Sequence, residues 1–210
     1  MLQEKGTMSS MTERILVPGC FSVHDGFLAP TQELAMSVAL ADETKKHLKS
    51  QFTYAFGWPP RVDKGHKMAR YGDAGVKYSY KDTEKPMHGW TPTLQRLKNM
   101  VEDFLGESFN CGVVNTYEPT SSLYPHADSK YIPQLAAEPT IVGVSFGGAR
   151  TMQLYPYDGK KRGDAMHVVL QPGSLIVMRG RSQTDWHHGI AAQPSSKGTR
   201  LSVTFRRHVR

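Results

Sequence analysis

The spacing of apolar residues along the chain predicts a helical first half and a strand-rich second half. The first helix is predicted to begin at Pro30 and to bury one apolar face. That face consists of Leu34, Ala35, Val38 and Ala39. A second helix is predicted between Thr91, a favourable N-cap residue, and Gly106, a common C-terminal stop. Its buried stripe consists of Leu94, Leu97, Val101, Phe104 and Leu105.

After Gly106 the pattern changes to short β-type runs separated by turns that contain glycine or proline. The runs cover residues 111–117, 140–146, 151–155, 167–170, 174–178 and 201–206. Many short strands without intervening helices predict an antiparallel sandwich or jelly roll, so the fold class is α+β. We take residues 1–24 as an N-terminal tail, 25–106 as N-terminal helices with long loops and short strands between them, and 107–210 as the β core. Residues 25–210 are expected to fold as one unit.

Composition narrows the class of protein. The 210 residues are 39% hydrophobic and 21% charged, which is typical of a soluble globular domain. No apolar run is long enough to span a bilayer, so no membrane association is expected. Two cysteines exclude a disulfide scaffold and favour an intracellular location. The net charge of +7 favours a polyanionic partner such as nucleic acid.

The last predicted strand alternates regularly between apolar and polar residues. Leu201, Val203 and Phe205 share one face, whereas Arg200, Ser202, Thr204 and Arg206 share the other. The polar face either lies in water, as in an ordinary surface strand, or lines the interior of a barrel. In a barrel, two arginines would bind an anion such as a carboxylate. By itself the alternation favours the surface strand.

His126 and Asp128 form an H-x-D pair that points to one side of an extended segment. A later histidine, His187 or His188, would complete a set of two imidazoles and one carboxylate. Such a set leaves open coordination positions and suits non-haem Fe(II), although zinc accepts the same ligands. An isolated H-x-D pair is weak evidence, so the order of the surrounding motifs decides.

Several motifs follow one another in a fixed order along the chain. They are Tyr71-Gly-Asp-Ala-Gly75, Tyr78-x-Tyr80, Trp90-x-Pro92-x-Leu94, Phe109-Asn110, Asn115-x-Tyr117, His126-x-Asp128, Ser145-Phe-Gly147, Pro172-Gly-Ser-Leu-Ile-Val-Met178, Asp185-Trp-x-His188 and Arg200-x-Ser-x-Thr-Phe-Arg206. This ordered set resembles the AlkB family of Fe(II)- and 2-oxoglutarate-dependent dioxygenases. The resemblance extends from about Tyr71 to the C-terminus.

The resemblance implies a double-stranded β-helix (jelly-roll) core and, within residues 25–106, a nucleotide-recognition lid. It also implies Fe(II) as cofactor, with 2-oxoglutarate and O₂ as co-substrates. It implies that His126, Asp128 and His188 bind the iron. His188 is chosen over His187 because the family's second histidine ligand stands two residues after the tryptophan, here Trp186. Arg206 is expected to clamp the distal carboxylate of 2-oxoglutarate. The rest of that pocket is expected to comprise Asn115, Tyr117, Arg200 and Ser202, the last in place of the family's asparagine.

The resemblance also implies oxidative demethylation of alkylated bases such as 1-methyladenine and 3-methylcytosine in DNA or RNA, with release of formaldehyde, succinate and CO₂. Tyr78 and Tyr80 occupy the lid positions that hold an extruded base, and Tyr80 is expected to stack on it. Repair relatives often carry acidic residues directly after the metal motif. This chain has Ser129 and Lys130 there, so Lys130 is expected near the edge of the base.

Two other functions remain possible from the sequence. A related dioxygenase would hydroxylate a protein side chain, but the two lid tyrosines and the basic charge disfavour that substrate. A catalytically silent nucleic-acid-binding module is disfavoured because His126, Asp128, His188 and Arg206 are all present. The protein is expected to act as a monomer inside the cell.

Overall fold

A computed structural model describes residues 11–53, 61–80, 83–129, 131–196 and 198–209. Its helices are α1 (Pro30–Thr44) and α2 (Pro92–Leu105), with a short 3-10 turn at Gly180–Gln183. Its strands are β1 (Thr12–Val17), β2 (Phe21–Asp25), β3 (Lys49–Thr53), β4 (Arg61–Gly72), β5 (Ser79–Tyr80), β6 (Thr83–Glu84), β7 (Cys111–Tyr117), β8 (Leu123–His126), β9 (Ile141–Gly147), β10 (Arg150–Pro156), β11 (Met166–Leu170), β12 (Leu175–Met178), β13 (Trp186–Ile190) and β14 (Arg200–Arg206). In the part of the chain described here, the helices are too short or too polar to cross a membrane.

The strands form two antiparallel sheets that pack face to face. The larger sheet has the order β1-β2-β12-β9-β14-β7-β4-β3, and the smaller has the order β11-β10-β13-β8. One apolar cluster joins them, with Phe21 and Ile176 from the larger sheet and Leu154 and Ile190 from the smaller. A separate hairpin of β5 and β6 lies in the segment that the resemblance assigns to the lid. The predicted α+β fold with a jelly-roll core is confirmed.

The two helices cover the outer face of the larger sheet. Leu40 of α1 and Leu94 of α2 belong to one buried cluster with Leu201, Val203 and Phe205 of β14. The other face of β14 therefore points between the two sheets, so the polar residues of its alternating pattern lie inside the molecule. The interior alternative for this strand is the correct one.

Helix α2 has the ends that the sequence predicts. The hydroxyl of Thr91 accepts a hydrogen bond from the backbone N–H of Leu94 at 3.4 Å. Gly106 ends the helix with a φ of 67°, in the left-handed region where glycine is favoured.

The predicted buried face of α1 is wrong. Met36, Leu40 and Thr44 are the buried residues, whereas Leu34 and Val38 are 64% and 65% exposed. Successive residues turn by about 100°, so Leu34 and Met36 lie on roughly opposite sides of the helix. Apolar residues occur on both sides of α1, and the pattern alone does not identify the side that meets the sheet.

Two further expectations for the N-terminal half are corrected. Residues 12–24 are not a tail, because β1 and β2 form there and β2 pairs with β12 in the larger sheet. Residues 61–72 form one long strand rather than loops with short strands, and its second half pairs with β7. Charged residues interrupt the apolar alternation of β4, in which only a few positions, such as Ala69 and Tyr71, are fully covered.

The orientation of α1 leads to a stability prediction. Leu40→Ala removes a fully buried side chain and is expected to lower the free energy of unfolding by about 2–5 kcal/mol. Leu34→Ala is the matched control and is expected to change it by less than about 0.5 kcal/mol. Urea denaturation of both variants measures the difference. A larger loss for Leu34→Ala would contradict the observed orientation of the helix.

Candidate active site

His126, Asp128 and His188 meet between two neighbouring strands of the smaller sheet. His126 ends β8 and lies directly opposite His188 of β13. The potential ligand atoms of the three residues lie within 4.8 Å of one another. His126 Nε2 is 3.2 Å from Asp128 Oδ1. His187, one residue earlier on β13, instead stacks on the Tyr157 ring, with 4.2 Å between the ring centroids.

The protonation states of His188 and Asp128 suit a divalent metal ion. Burial lowers the pKa of His188 to about 3, so its imidazole is neutral at physiological pH. Its Nδ1 atom is buried and has no hydrogen-bond partner among the described residues. Burial alone raises the pKa of Asp128, but the Arg206 guanidinium and the neighbouring histidines outweigh it and hold that pKa below its ordinary value. Imidazole nitrogens together with one carboxylate form a donor set that non-haem iron accepts, so the residues fit the ion.

Two buried arginines stand on the inner face of β14. Arg206 Nη2 is 3.2 Å from Asp128 Oδ2, and Arg200 Nη2 donates to the Ser145 hydroxyl at 2.9 Å. Burial lowers the pKa of Arg200 to about 10, so it stays charged at neutral pH. The Nε atoms of both arginines are buried and have no partner among the described residues. Among the residues that the structure describes, no salt bridge offsets the charge of Arg200, whereas Arg206 pairs with Asp128. The buried donors and the charge of Arg200 fit an anionic ligand.

The remaining predicted pocket residues lie beside these arginines. Tyr117 is directly opposite Arg200 in the pairing of β7 with β14, and Asn115 is directly opposite Ser202. Residues opposite each other in an antiparallel pair project from the same face of the sheet. The guanidinium carbon of Arg200 is 5.7 Å from the centre of the Tyr117 ring. Burial raises the pKa of Tyr117 to about 12, so its hydroxyl stays protonated.

Sequence reasoning missed two buried residues at this site. His66 of β4 accompanies Asn115, with 3.1 Å between His66 Nε2 and Asn115 Oδ1. Arg150 of β10 is fully buried and donates to the backbone carbonyl groups of Glu118, Ser121 and Ala191. Arg150 thereby ties the segment after β7 to the end of β13. Only the strand pairing brings these residues to the site, and no local motif marks them.

The predicted substrate residues lie in different environments. Tyr78 is buried to 3% exposure, and Arg206 Nη1 donates to its hydroxyl at 3.4 Å. Tyr80 of β5 is half-buried, and its ring centroid is 5.4 Å from that of Tyr131. Lys130 lies outside the described residues. Tyr78 thus connects the base of the β5–β6 hairpin to the arginine that holds Asp128.

Comparisons with known proteins agree with this geometry. The model of the 2OG-Fe(II) oxygenase superfamily matches residues 21–206. The chain is 29% identical over 182 residues to the human DNA oxidative demethylase ALKBH2, covering 80% of this chain and 69% of the relative. It is 30% identical to the mouse protein of that name, covering 80% of this chain and 75% of the relative.

One further relative and one solved structure are also similar to this chain. The human alpha-ketoglutarate-dependent dioxygenase alkB homolog 3 is 33% identical over 145 residues, covering 66% of this chain and 50% of that protein. A solved structure of OsALKBH1 is similar over 94% of this chain and 100% of that chain. Its TM-score is 0.65 at 20% identity, so this likeness bears on the fold alone.

The geometry predicts which histidine on β13 binds the metal. His126→Ala, Asp128→Ala and His188→Ala are each expected to lose tight Co(II) binding, because each removes one of the three donors. His187→Ala is the matched control and is expected to retain it, since that ring stacks on Tyr157 instead. Visible absorption of the Co(II)-loaded protein reports the binding. Loss of binding in His187→Ala with retention in His188→Ala would contradict the assignment.

Proposed function

Since the chain belongs to the 2OG-Fe(II) oxygenase superfamily and, within it, to the AlkB family, we propose that it is an oxidative demethylase of N-alkylated nucleobases in DNA or RNA. As a member of this family it is a dioxygenase that uses Fe(II), 2-oxoglutarate and O₂. The observation that carries the proposal is the group formed by the partly buried His126 and the buried Asp128 and His188, beside the charged Arg200 and Arg206.

The bound metal and 2-oxoglutarate supply the oxidation of an N-alkyl carbon by O₂, which yields succinate and CO₂ and releases a methyl group as formaldehyde. The chain itself holds and orients the participants. His126, Asp128 and His188 would hold the iron, and the face that they leave open admits the co-substrates. Burial of Asp128 and His188 excludes bulk water from that side of the centre.

The arginines divide the binding of 2-oxoglutarate between them. Arg206 pairs with the metal ligand Asp128, which favours a role at the end of the co-substrate nearer the metal. Arg200 lies six residues away along β14, about 20 Å measured between backbone positions, and faces Tyr117. We therefore assign the distal carboxylate to Arg200 with Tyr117. This differs from the role that the family resemblance implied for Arg206, which was to clamp the distal carboxylate with Arg200 completing the same pocket.

A basic and aromatic rim supports nucleic acid as the substrate. The guanidinium of Arg162 lies over the rings of Tyr124 and Tyr155, at 4.7 Å and 5.7 Å from their centres. Lys160 and Lys161 are exposed in the same loop. Tyr124 is 57% exposed and stands two residues before His126. Positive charges contact phosphates, and aromatic rings stack on bases, so this rim suits the strand that flanks the target base.

The lid hairpin supports the extrusion of a base toward the metal. The backbone N–H of Ser79 donates to Gln134 at 3.3 Å, and Tyr78 reaches Arg206, so the hairpin is fixed at its base. Because Tyr78 is buried, we assign direct stacking on the base to Tyr80. The role expected of Lys130 from the sequence stays a prediction. Hydroxylation of a protein side chain is the second candidate function. The basic rim favours nucleic acid over a protein as the substrate. We propose that the protein acts as a monomer on nucleic acid inside the cell.

Formaldehyde release from methylated oligonucleotides tests the proposed activity. We expect the Fe(II)-loaded protein to release formaldehyde and succinate in equal amounts with oligonucleotides that carry 1-methyladenine or 3-methylcytosine. The controls are the wild type with unmethylated oligonucleotides and the variant His126→Ala with methylated ones. Neither control should release formaldehyde. Turnover of 2-oxoglutarate without formaldehyde from any methylated oligonucleotide would contradict a demethylase acting on these nucleobases.

The same assay tests the rim and the lid. Replacing Lys160 and Lys161 by glutamine should raise the KM for the oligonucleotide severalfold at moderate salt and leave the KM for 2-oxoglutarate unchanged. Lys45→Gln with Lys46→Gln, on the helix side of the larger sheet, is the matched control. Equal effects of the two lysine pairs would contradict a role of the rim in substrate binding.

Tyr80→Ala tests the lid and should weaken oligonucleotide binding by about 1–3 kcal/mol.

The assignment of the arginines leads to a separate prediction. Arg200→Met removes the charge but keeps much of the side-chain volume. It is expected to weaken 2-oxoglutarate binding on the order of 10²-fold, because a carboxylate loses a buried charged partner. Arg200→Met should leave the Mn(II) affinity nearly unchanged. Arg206→Met should weaken the binding of both 2-oxoglutarate and Mn(II), since Asp128 also loses its charged neighbour. Calorimetry under anaerobic conditions measures both affinities. Normal co-substrate binding by Arg200→Met would restore the assignment of the distal carboxylate to Arg206.

A further inference from the structure

His66 is a buried histidine that belongs neither to the metal group nor to any motif of the sequence. It is 3% exposed and lies directly opposite Tyr117 in the pairing of β4 with β7. Its ring stacks on that of Tyr117, with centroids 4.5 Å apart and 19° between the planes. Its Nε2 atom is 3.1 Å from Asn115 Oδ1. One side chain therefore contacts two residues of the co-substrate pocket.

We infer that His66 is a positioning residue that fixes the side-chain amide of Asn115 with its NH₂ group toward 2-oxoglutarate. This inference rests on the proposed use of 2-oxoglutarate at this site. A carbonyl oxygen accepts hydrogen bonds only, so the contact requires the proton of the imidazole to be on Nε2. The oxygen of Asn115 is then engaged, and the two N–H donors of the amide remain for another acceptor.

The orientation of this amide matters because of its position. Asn115 lies opposite Ser202, on the face of the sheet that also carries Arg200 and Arg206. An anionic ligand there requires hydrogen-bond donors. If the amide were turned over, its oxygen would face that ligand and repel it. The hydrogen bond from His66 is what distinguishes the two orientations, which are nearly equal in shape.

The backbone around His66 is shaped to hold the ring in place. Asp63 accepts hydrogen bonds from the backbone N–H groups of Gly65 and His66, at 2.9 Å and 3.1 Å, and from the hydroxyl of Ser121 at 2.9 Å. The pairing of β3 with β4 is irregular here, because Ser50 faces Lys67 but Gln51 faces Asp63. A Cβ atom at Gly65 would lie within 3.0 Å of Glu118 Cβ, so the chain comes close to the neighbouring segment.

A double-mutant cycle on 2-oxoglutarate binding tests the inference. His66→Phe keeps a ring beside Tyr117 but removes the donor, whereas His66→Gln keeps an N–H donor. In the anaerobic Mn(II)-loaded protein we expect His66→Phe to weaken 2-oxoglutarate binding about tenfold and His66→Gln to restore most of the loss. Mn(II) affinity should stay the same in both. In an Asn115→Ala background, His66→Phe should have little further effect.

The outcomes separate this inference from the proposed function. Wild-type protein that binds no 2-oxoglutarate would contradict both. Normal binding by His66→Phe, or an equal loss with and without Asn115, would overturn the role of His66 alone. A measurement on the wild type does not depend on the folding of any variant. Long-range ¹H–¹⁵N NMR of the imidazole should show the proton of His66 on Nε2, and a proton on Nδ1 alone would overturn the inference.

Discussion

The pairing of Asp128 with Arg206 is the interaction on which the site depends. A buried carboxylate keeps its charge only if a nearby cation offsets the loss of hydration. Arg206 provides that cation at 3.2 Å, from a strand in the opposite sheet. The same contact joins the candidate metal group of the smaller sheet to the arginines of the larger sheet. Together with the apolar cluster between the sheets, the ion pair fixes how the two groups lie relative to each other.

The register of β14 links this chemistry to the stability of the fold. Leu201, Val203 and Phe205 complete the core under the helices, while Arg200 and Arg206 point between the sheets. A shift of one residue would exchange the two faces, which would bury the arginines under the helices and empty the pocket of its cations. The packing that stabilises the protein thus also selects the residues that face the space between the sheets.

Local patterns in the sequence predict the features that depend on neighbours along the chain. Both ends of α2 and the alternation of β14 are of this kind, and His126 and Asp128 stand two residues apart. The missed features depend on partners distant in sequence. The buried face of α1 is set by the sheet below it, and the β1–β2 pair is attached to the larger sheet through the pairing of β2 with β12. His66 reaches Asn115, 49 positions away, only because β4 pairs with β7.

Burial divides the residues of the site into two groups with different constraints. Asp128, His188, Arg200 and Arg206 are buried and tied to the strand register, so the fold restricts what can replace them. Tyr124, Lys160 and Lys161 are exposed and contribute little to the core. On the proposed function, changes at the rim would alter which nucleic acid is bound without disturbing the oxidation chemistry, because the rim side chains do not pack in the core.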